Sequence, residues 1–423
     1  MKWVVLGLLW VAYFLLQAMR QVYNASLPQI RADFVAAGAT AVSLGLVGTV
    51  FYFVYGLCAP CASVVADVFR RKAVIVAGCL LFSVGVFASG CAGTLAMIVL
   101  SYGVVNALGQ SMVPASSSAV ISEWHEKTRA TALSIYQVAN YAGIILAALL
   151  AGGVGARGAG AWRWAFWILG GFGLVWAGVL AACLRTQPAA EAGRREAPRP
   201  AAAARAEKPS VRAALASVLG SPVALLLTLA FGFTMYGDNG YKVWMTTYLK
   251  DAFAATTPAS AAFHAVFWFY LGAVAGIAAA GRLSDRLAPR RPAARFEVAL
   301  AGLVLSAPCV ALAVRARTLA GACAALAAWG FARGIYDSNF FASLHDVVAP
   351  RCRAAATGLF CCGGFVLGSF APTVLGWIAE RASMAAGMRS LGWFYLAGGL
   401  TILVARHLFM RRPTPGNAPA ARP

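Results

Sequence analysis

The chain has 423 residues, 61% of them hydrophobic and only 12% charged, with a mean hydropathy of +0.73. A soluble protein of this length carries about 25% charged residues, so no single aqueous core hides this much apolar surface, and a bilayer must be the solvent for most of it. The net charge of +21 is spread over short loops rather than gathered into an aromatic-interleaved groove, which argues against nucleic acid as a partner.

Twelve apolar spans are expected. Residues 1–184 hold six: Trp3 to Asn24, Ala41 to Ala66, Ala73 to Ala92, Leu95 to Ile121, Ala130 to Val154 and Trp162 to Leu184. The first resembles a secretory signal, with Lys2 ahead of an apolar stretch. The run continues past Ala18 without a clean small-residue cleavage site, so a retained first helix is expected. Residues 185–220 are rich in Ala, Pro, Arg and Glu, too polar to span and too poor in large apolar side chains to fold alone. They are expected to be a linker. Residues 221–410 repeat the scheme: Ser221 to Leu249, Ala261 to Gly281, Val298 to Val314, Leu319 to Leu344, Ala355 to Glu380 and Leu391 to Phe409. Residues 411–423 are a basic, Pro-rich tail.

The ten cysteines sit mostly inside apolar runs, where they act as small hydrophobes. Cys58-Ala59-Pro60-Cys61 has redox spacing but lies mid-span, so helix packing is its expected role. Lys and Arg concentrate in the even-to-odd connections, the linker and the tail, with Arg70, Arg71, Lys72, Arg282, Arg286, Arg290, Arg291, Arg351 and Arg353 among them. The opposite loops are poorer in positive charge. The positive-inside rule then places both termini in the cytoplasm, in a cell inner membrane.

A charged turn, Gly281-Arg282-Leu283-Ser284-Asp285-Arg286 with Arg290 and Arg291, is expected between two apolar runs. A weaker copy, Ser63 to Asp67 with Arg70, Arg71 and Lys72, occupies the matching place in the first half. Asp67 and Asp285 are 218 residues apart, and so are Trp3 and Ser221. A second repeat runs from Glu123 to Arg129 and from Asp346 to Arg353, each leading into a helix of small residues.

These paired loops, with twelve spans and a central linker, resemble the major facilitator superfamily over essentially the whole chain. The family signature G-x-x-x-D-R-x-G-R-R lies between helices 2 and 3 and recurs between helices 8 and 9. Gly281, Asp285, Arg286 and Arg290/Arg291 match the second copy. In the first copy Ser63 replaces Gly, Val68 replaces Arg and Arg70 replaces Gly. The resemblance implies an all-α membrane protein of two pseudo-symmetric six-helix halves, alternating access around a midplane site, and gating by Asp67, Arg71, Asp285 and Arg286.

Charges inside spans are costly and mark functional sites. Five stand out: Arg20 in span 1, Asp238 and Lys242 in span 7, and Arg333 and Asp337 in span 10. The resemblance places those helices around the central cavity. A spacing of four puts each pair on one helix face, leaving Arg20 as surplus positive charge, and its planar fork suits a carboxylate or phosphate. Three alternatives stay open: Arg20 snorkelling to the interface, the pairs being structural salt bridges, or Asp238 or Asp337 carrying a coupling proton. Tyr23, Asn24, Tyr236, Tyr336 and Asn339 are expected substrate-binding companions, suited to a polyol or sugar ring, with Gln17, Gln110, Gln137, Asn140, Asn239 and Tyr241 behind them.

Tyr13-Phe14, Arg20 and Leu27-Pro28 look like the first helix of organophosphate/phosphate antiporters and related organic-anion transporters. Gly237 with Trp244 to Lys250 looks like their seventh. There the antiporters' arginine aligns with Asp238, and Met19 stands where sugar-acid symporters carry an aspartate before Arg20. The expectation is a monomeric secondary active transporter of a small organic anion: a sugar acid, sugar phosphate or carboxylate. A proton, sodium or a counter-solute would drive it, by symport or antiport. The alternative is a proton-coupled exporter of drugs or metabolites. The sequence has no G-x-x-x-x-G-K-[ST] loop for ATP, and its four histidines are scattered, so no cofactor, metal or enzymatic chemistry is expected.

Overall fold

The computed structural model describes residues 1–125, 128–155, 157–185, 219–253, 255–287, 291, 293–348 and 353–410. Nearly all of the expected linker and the whole tail lie outside the described residues, as do the side chains of Asp67 and Asp285.

Among the described residues the chain forms twelve long helical segments, the eleventh being broken in two. The first half holds α1 (Lys2–Val35), α2 (Ala41–Val68), α3 (Arg71–Gly90), α4 (Leu95–Trp124), α5 (Arg129–Gly155) and α6 (Trp162–Cys183). The second holds α7 (Pro222–Ala252), α8 (Pro258–Leu287), α9 (Ala294–Arg315), α10 (Leu319–Val347), α11 (Arg353–Gly368 and Ala371–Arg381) and α12 (Met384–Met410). Among the described residues there is no strand, and eleven helices are long and apolar enough to cross a bilayer. The exception is α7. At 31 residues it is long enough, but the stretch from Tyr236 to Lys242 breaks its apolar run. That polar middle is buried by protein rather than lipid, with Tyr236, Asp238, Asn239 and Tyr241 all in the interior.

Helix starts follow local capping chemistry. Thr94, Ser221 and Thr318 each accept a hydrogen bond from the backbone N–H three residues on, at 3.3, 3.3 and 3.1 Å. Pro222 follows Ser221, at the first helical position, where its missing N–H costs nothing.

The packing is pseudo-symmetric. In the first half α1 packs on α5 and α6, α2 on α4, and α3 on α4 and α6. In the second α7 packs on α11 and α12, α8 on α10, and α9 on α10 and α12, the same set shifted by six helices. The halves meet through α2 with α11, α5 with α8, and α1 with α7. Small residues set these approaches. A Cβ on Gly272 of α8 would overlap the carbonyl of Ala327 in α10, and one on Gly330 would overlap that of Phe269, so the two helices touch backbone to backbone.

The halves close tightly at the end of the bundle opposite the termini. There Gly45 of α2 abuts the backbone of Pro372 in α11, Gly376 of α11 abuts Ala41, and Gly152 of α5 abuts Ala259 of α8. Arg31 and Asp251 also bridge the halves there at 3.0 Å.

Four elements depart from the sequence expectation. Helix α1 runs on from Asn24 through Pro28 to Val35, because its last turns are held from outside: Asp33 accepts from the indole of Trp162 at 2.7 Å and from Gly160 N–H at 3.2 Å. The expected charged turn at 281–286 is the last part of α8, which stays helical to Leu287, since no glycine or proline follows Gly281 before Pro289. Spans 10 and 11 were expected to be continuous, yet α10 breaks at Ser338 and Asn339 and α11 breaks after Gly368.

Candidate functional site

Five helices surround a cavity of about 180 Å³ inside the bundle. Helix α1 contributes Gln17, Arg20 and Gln21, one polar stripe at helical spacing. Helix α5 adds Asn140 and Tyr141, α8 adds Phe269 and Tyr270, α7 adds Asp238 and Lys242, and α10 adds Arg333 and Asp337. All five intramembrane charges singled out by sequence therefore reach one space.

Four of them form a continuous chain. Lys242 Nζ donates to Asp238 Oδ2 at 2.9 Å, the i,i+4 pair that the spacing suggests. Arg333 donates to Asp337, the second such pair. A third contact joins them: Arg333 Nε lies 3.4 Å from Asp238 Oδ1, bridging α10 to α7. Arg333 is the deepest member, its side chain only 3% exposed, and its guanidinium also lies over the ring of Tyr336, 5.1 Å from the centroid. Two cations and two anions alternate along the chain, so the network is formally neutral.

Arg20 stands apart. Its Nε donates to Gln110 Oε1 at 2.8 Å, and Gln110 is held in turn by donating to Asn106 Oδ1 at 2.8 Å. Its guanidinium covers Tyr55 at 4.4 Å from the ring centroid, with Phe51 at 5.8 Å. Its backbone carbonyl accepts from Tyr102 Oη at 2.5 Å. Tyr102 and Asn106 belong to a π-helical stretch of α4, Val99–Asn106, a local widening that recurs at functional sites. Among the described residues Arg20 forms no ion pair, and its Nη2 is buried without a hydrogen-bond partner. Snorkelling does not describe this arginine, because its head is held by Gln110 and Tyr55 at the cavity wall.

The expected companions are placed elsewhere. Tyr23 is fully buried and donates to the carbonyl of Leu44 at 2.8 Å; Asn24 donates to Gln21 Oε1 at 3.1 Å, one layer behind the wall. Tyr236 stacks on Phe394 at 3.7 Å, and Tyr336 lies behind Arg333. Asn339 sits at the break in α10, accepting from Ser284 Oγ at 2.5 Å, and so ties α10 to the end of α8 beside Asp285. None of these five lines the cavity. Gln21, Tyr141, Phe269 and Tyr270 do line it, and sequence reading passed over them. Only Gln21 carried a signal, lying four residues after Gln17 on the face of α1.

At the end of the bundle that carries the termini, Arg71 at the start of α3 pairs with Glu123 near the end of α4. Arg295 at the start of α9 pairs with Asp346 near the end of α10 at 2.6 Å. The two pairs occupy equivalent places in the halves and account for the acidic residue that opens each second-repeat motif. Arg286 is exposed at the end of α8.

The profile of the Major Facilitator Superfamily matches residues 9–372. The chain belongs to that superfamily. It is accordingly a multi-pass membrane transporter, not an enzyme. No curated protein matches the sequence. Among solved structures it is similar to a bacterial homolog of the human lysosomal transporter Spinster in an inward-facing, unoccupied conformation. The TM-score is 0.83 at 18% identity, over 98% of this chain and 99% of that one. The inward-facing, occupied form of that homolog matches with a TM-score of 0.76 at 18% identity, over 97% and 98%. The nucleoside transporter NupG matches with a TM-score of 0.69 at 15% identity, over 96% and 98%. At these identities the likeness establishes the major facilitator fold alone.

Proposed function

We propose that this transporter carries a small organic anion through the cavity and that Arg20 anchors the anionic group. The supporting observation is the contrast between Arg20 and the other cations. Lys242 and Arg333 already face Asp238 and Asp337, whereas among the described residues Arg20 has no carboxylate and keeps a buried Nη2 unpartnered. A buried cationic donor without a partner is costly, and a carboxylate completing it forms a short, charge-assisted bond. One surplus charge favours a monoanion, such as a sugar acid or other carboxylate, over a phosphate dianion. Gln17, Gln21 and Asn140 suit hydroxyls, and Tyr270 and Phe269 offer faces for a ring.

On this reading Asp238, Lys242, Arg333 and Asp337 shape the cavity and can re-pair during the cycle. Asp337, its side chain 29% exposed beside the cavity, is the best placed of the two carboxylates to take a coupling proton. The excess of Lys and Arg in the loops on the terminus side supports a cytoplasmic face there, where Asp67, Arg71, Asp285 and Arg286 would form the gate.

The test is counterflow in proteoliposomes with a panel of sugar acids, sugar phosphates and monocarboxylates. A carboxylate should exchange in the parent, and Arg20→Ala should abolish that exchange while the protein still inserts. Retained exchange by Arg20→Ala would sink the anion reading.

A further inference from the structure

Helix α11 is broken where its first-half counterpart, α5, runs unbroken from Arg129 to Gly155. Its second segment, Ala371–Arg381, has Pro372 in the first turn, and a proline has no N–H to give the carbonyl four residues earlier. That carbonyl, of Gly368, accepts instead from the side-chain amide of Asn239 in α7 at 3.1 Å. The carbonyl of Pro372 accepts from the indole N–H of Trp244, also in α7, at 2.8 Å. Asn239 and Trp244 are fully buried; Asn239 stands in for the backbone donor that Pro372 lacks, and Trp244 gives a second donor to a carbonyl in the first turn of the segment, tying it to α7.

The same segment is capped from the other half. The N–H of Thr373, in the first turn and without an intrahelical acceptor, donates to Thr49 Oγ1 of α2 at 3.3 Å, and the two hydroxyls lie 2.8 Å apart. In return, Val42 N–H in the first turn of α2 donates to Glu380 Oε1 near the end of the segment at 2.8 Å. Each half thus caps a helix N-terminus of the other, around the close approach of Gly45 to Pro372 and Gly376 to Ala41.

We propose that Ala371–Arg381 is a hinged gate across the end of the path opposite the termini, held shut by these reciprocal caps. Asn239 and Trp244 are the positioning residues that make the gate follow the charge network. Asp238, which joins Lys242 to Arg333, immediately precedes Asn239 in α7. A rotation or slide of α7 that re-pairs Asp238 therefore moves the donors that hold Gly368 and Pro372. Helix α5 has no such break, so its contact with α8 opens as a rigid body. The device serves transport whatever the cargo, and it does not depend on the anion reading.

Disulfide trapping tests it in the full chain, with the native cysteines replaced by serine and Thr49→Cys and Thr373→Cys introduced together. Copper(II) phenanthroline takes two electrons from the thiol pair, the two protons pass to water and dioxygen reoxidises the copper; the rate of this cross-link in proteoliposomes reports closure. Asp238→Asn should change the rate by about fivefold or more, and adding either Asn239→Leu or Trp244→Phe should reduce that effect to less than about twofold. Trp244→Phe keeps the aromatic bulk and loses only the N–H, which separates a lost hydrogen bond from a misfolded protein. No effect of Asp238→Asn, or one of equal size in all three backgrounds, overturns the proposal.

Discussion

Arg333 Nε of α10 lies 3.4 Å from Asp238 Oδ1 of α7, and that one contact fuses two intrahelical ion pairs into a single neutral network. Without it each helix would carry a separate pair. With it, a change of partner on one helix is felt on the other.

The first prediction concerns Arg333. Its side chain is 3% exposed, and removing one partner of a buried pair costs ~3–5 kcal/mol, because the remaining charge is left uncompensated. Arg333→Met should lower the thermal unfolding midpoint of the detergent-solubilised protein by many degrees. The double variant Arg333→Met/Asp337→Leu leaves Lys242 and Asp238 as a neutral pair and should recover most of that loss. Equal midpoints for the single and double variants would show that charge balance is not what holds this region.

Arg20→Lys keeps the charge but loses the fork. Lysine cannot donate to Gln110 from Nε and offer a second planar N–H to a carboxylate at the same time. Solute affinity should fall about tenfold, corresponding to ~1.4 kcal/mol, with less effect on the maximal rate. Concentration dependence of counterflow reads the two parameters separately.

Gly45 and Gly152 mark the closed end. A Cβ at either would overlap backbone of the opposite half, Pro372 or Ala259 respectively. Overpacking of this kind costs ~1–3 kcal/mol, and here it falls on the closed state alone. Gly45→Ala and Gly152→Ala should both raise thiol-reagent access to a cysteine introduced at Gln21, and both should slow transport. Access equal to that of the parent would mean that this interface does not gate.

Arg31 and Asp251 make the opposite case. Their side chains are 45% and 52% exposed, so water screens the pair and its contribution is ~0–1 kcal/mol. Arg31→Ala should leave the unfolding midpoint close to the parent's, in contrast to Arg333→Met. A comparable loss in the two variants would contradict this ranking.

Much of this was legible from residue types. A stretch of about 20 apolar residues has one stable fate in a bilayer, so the spans could be counted. The cost of a charge in that setting singled out Arg20, Asp238, Lys242, Arg333 and Asp337, and the cavity gathers all five. The uncharged candidates were a different matter. Tyr23, Asn24, Tyr236, Tyr336 and Asn339 share the chemistry of Gln21, Tyr141 and Tyr270, yet only the latter three line the wall. A hydroxyl or amide is cheap enough to bury in packing, as Tyr23 is against Leu44, so its presence does not reveal which way it faces.

The sequence alone determined the solvent, the number of crossings, the repeat of one half by the other and the intramembrane charges, because each follows from local hydropathy, spacing and the energetic cost of a charge in lipid. Tertiary structure decided three things. Asp238 meets Arg333, Gln110 and Tyr55 hold Arg20 while leaving one donor unpartnered, and the carbonyl freed by Pro372 is taken up by Asn239. Each is a contact between helices far apart in the chain, and a side chain's hydrogen-bonding capacity is known from its type while its partner is known only once the helices are packed.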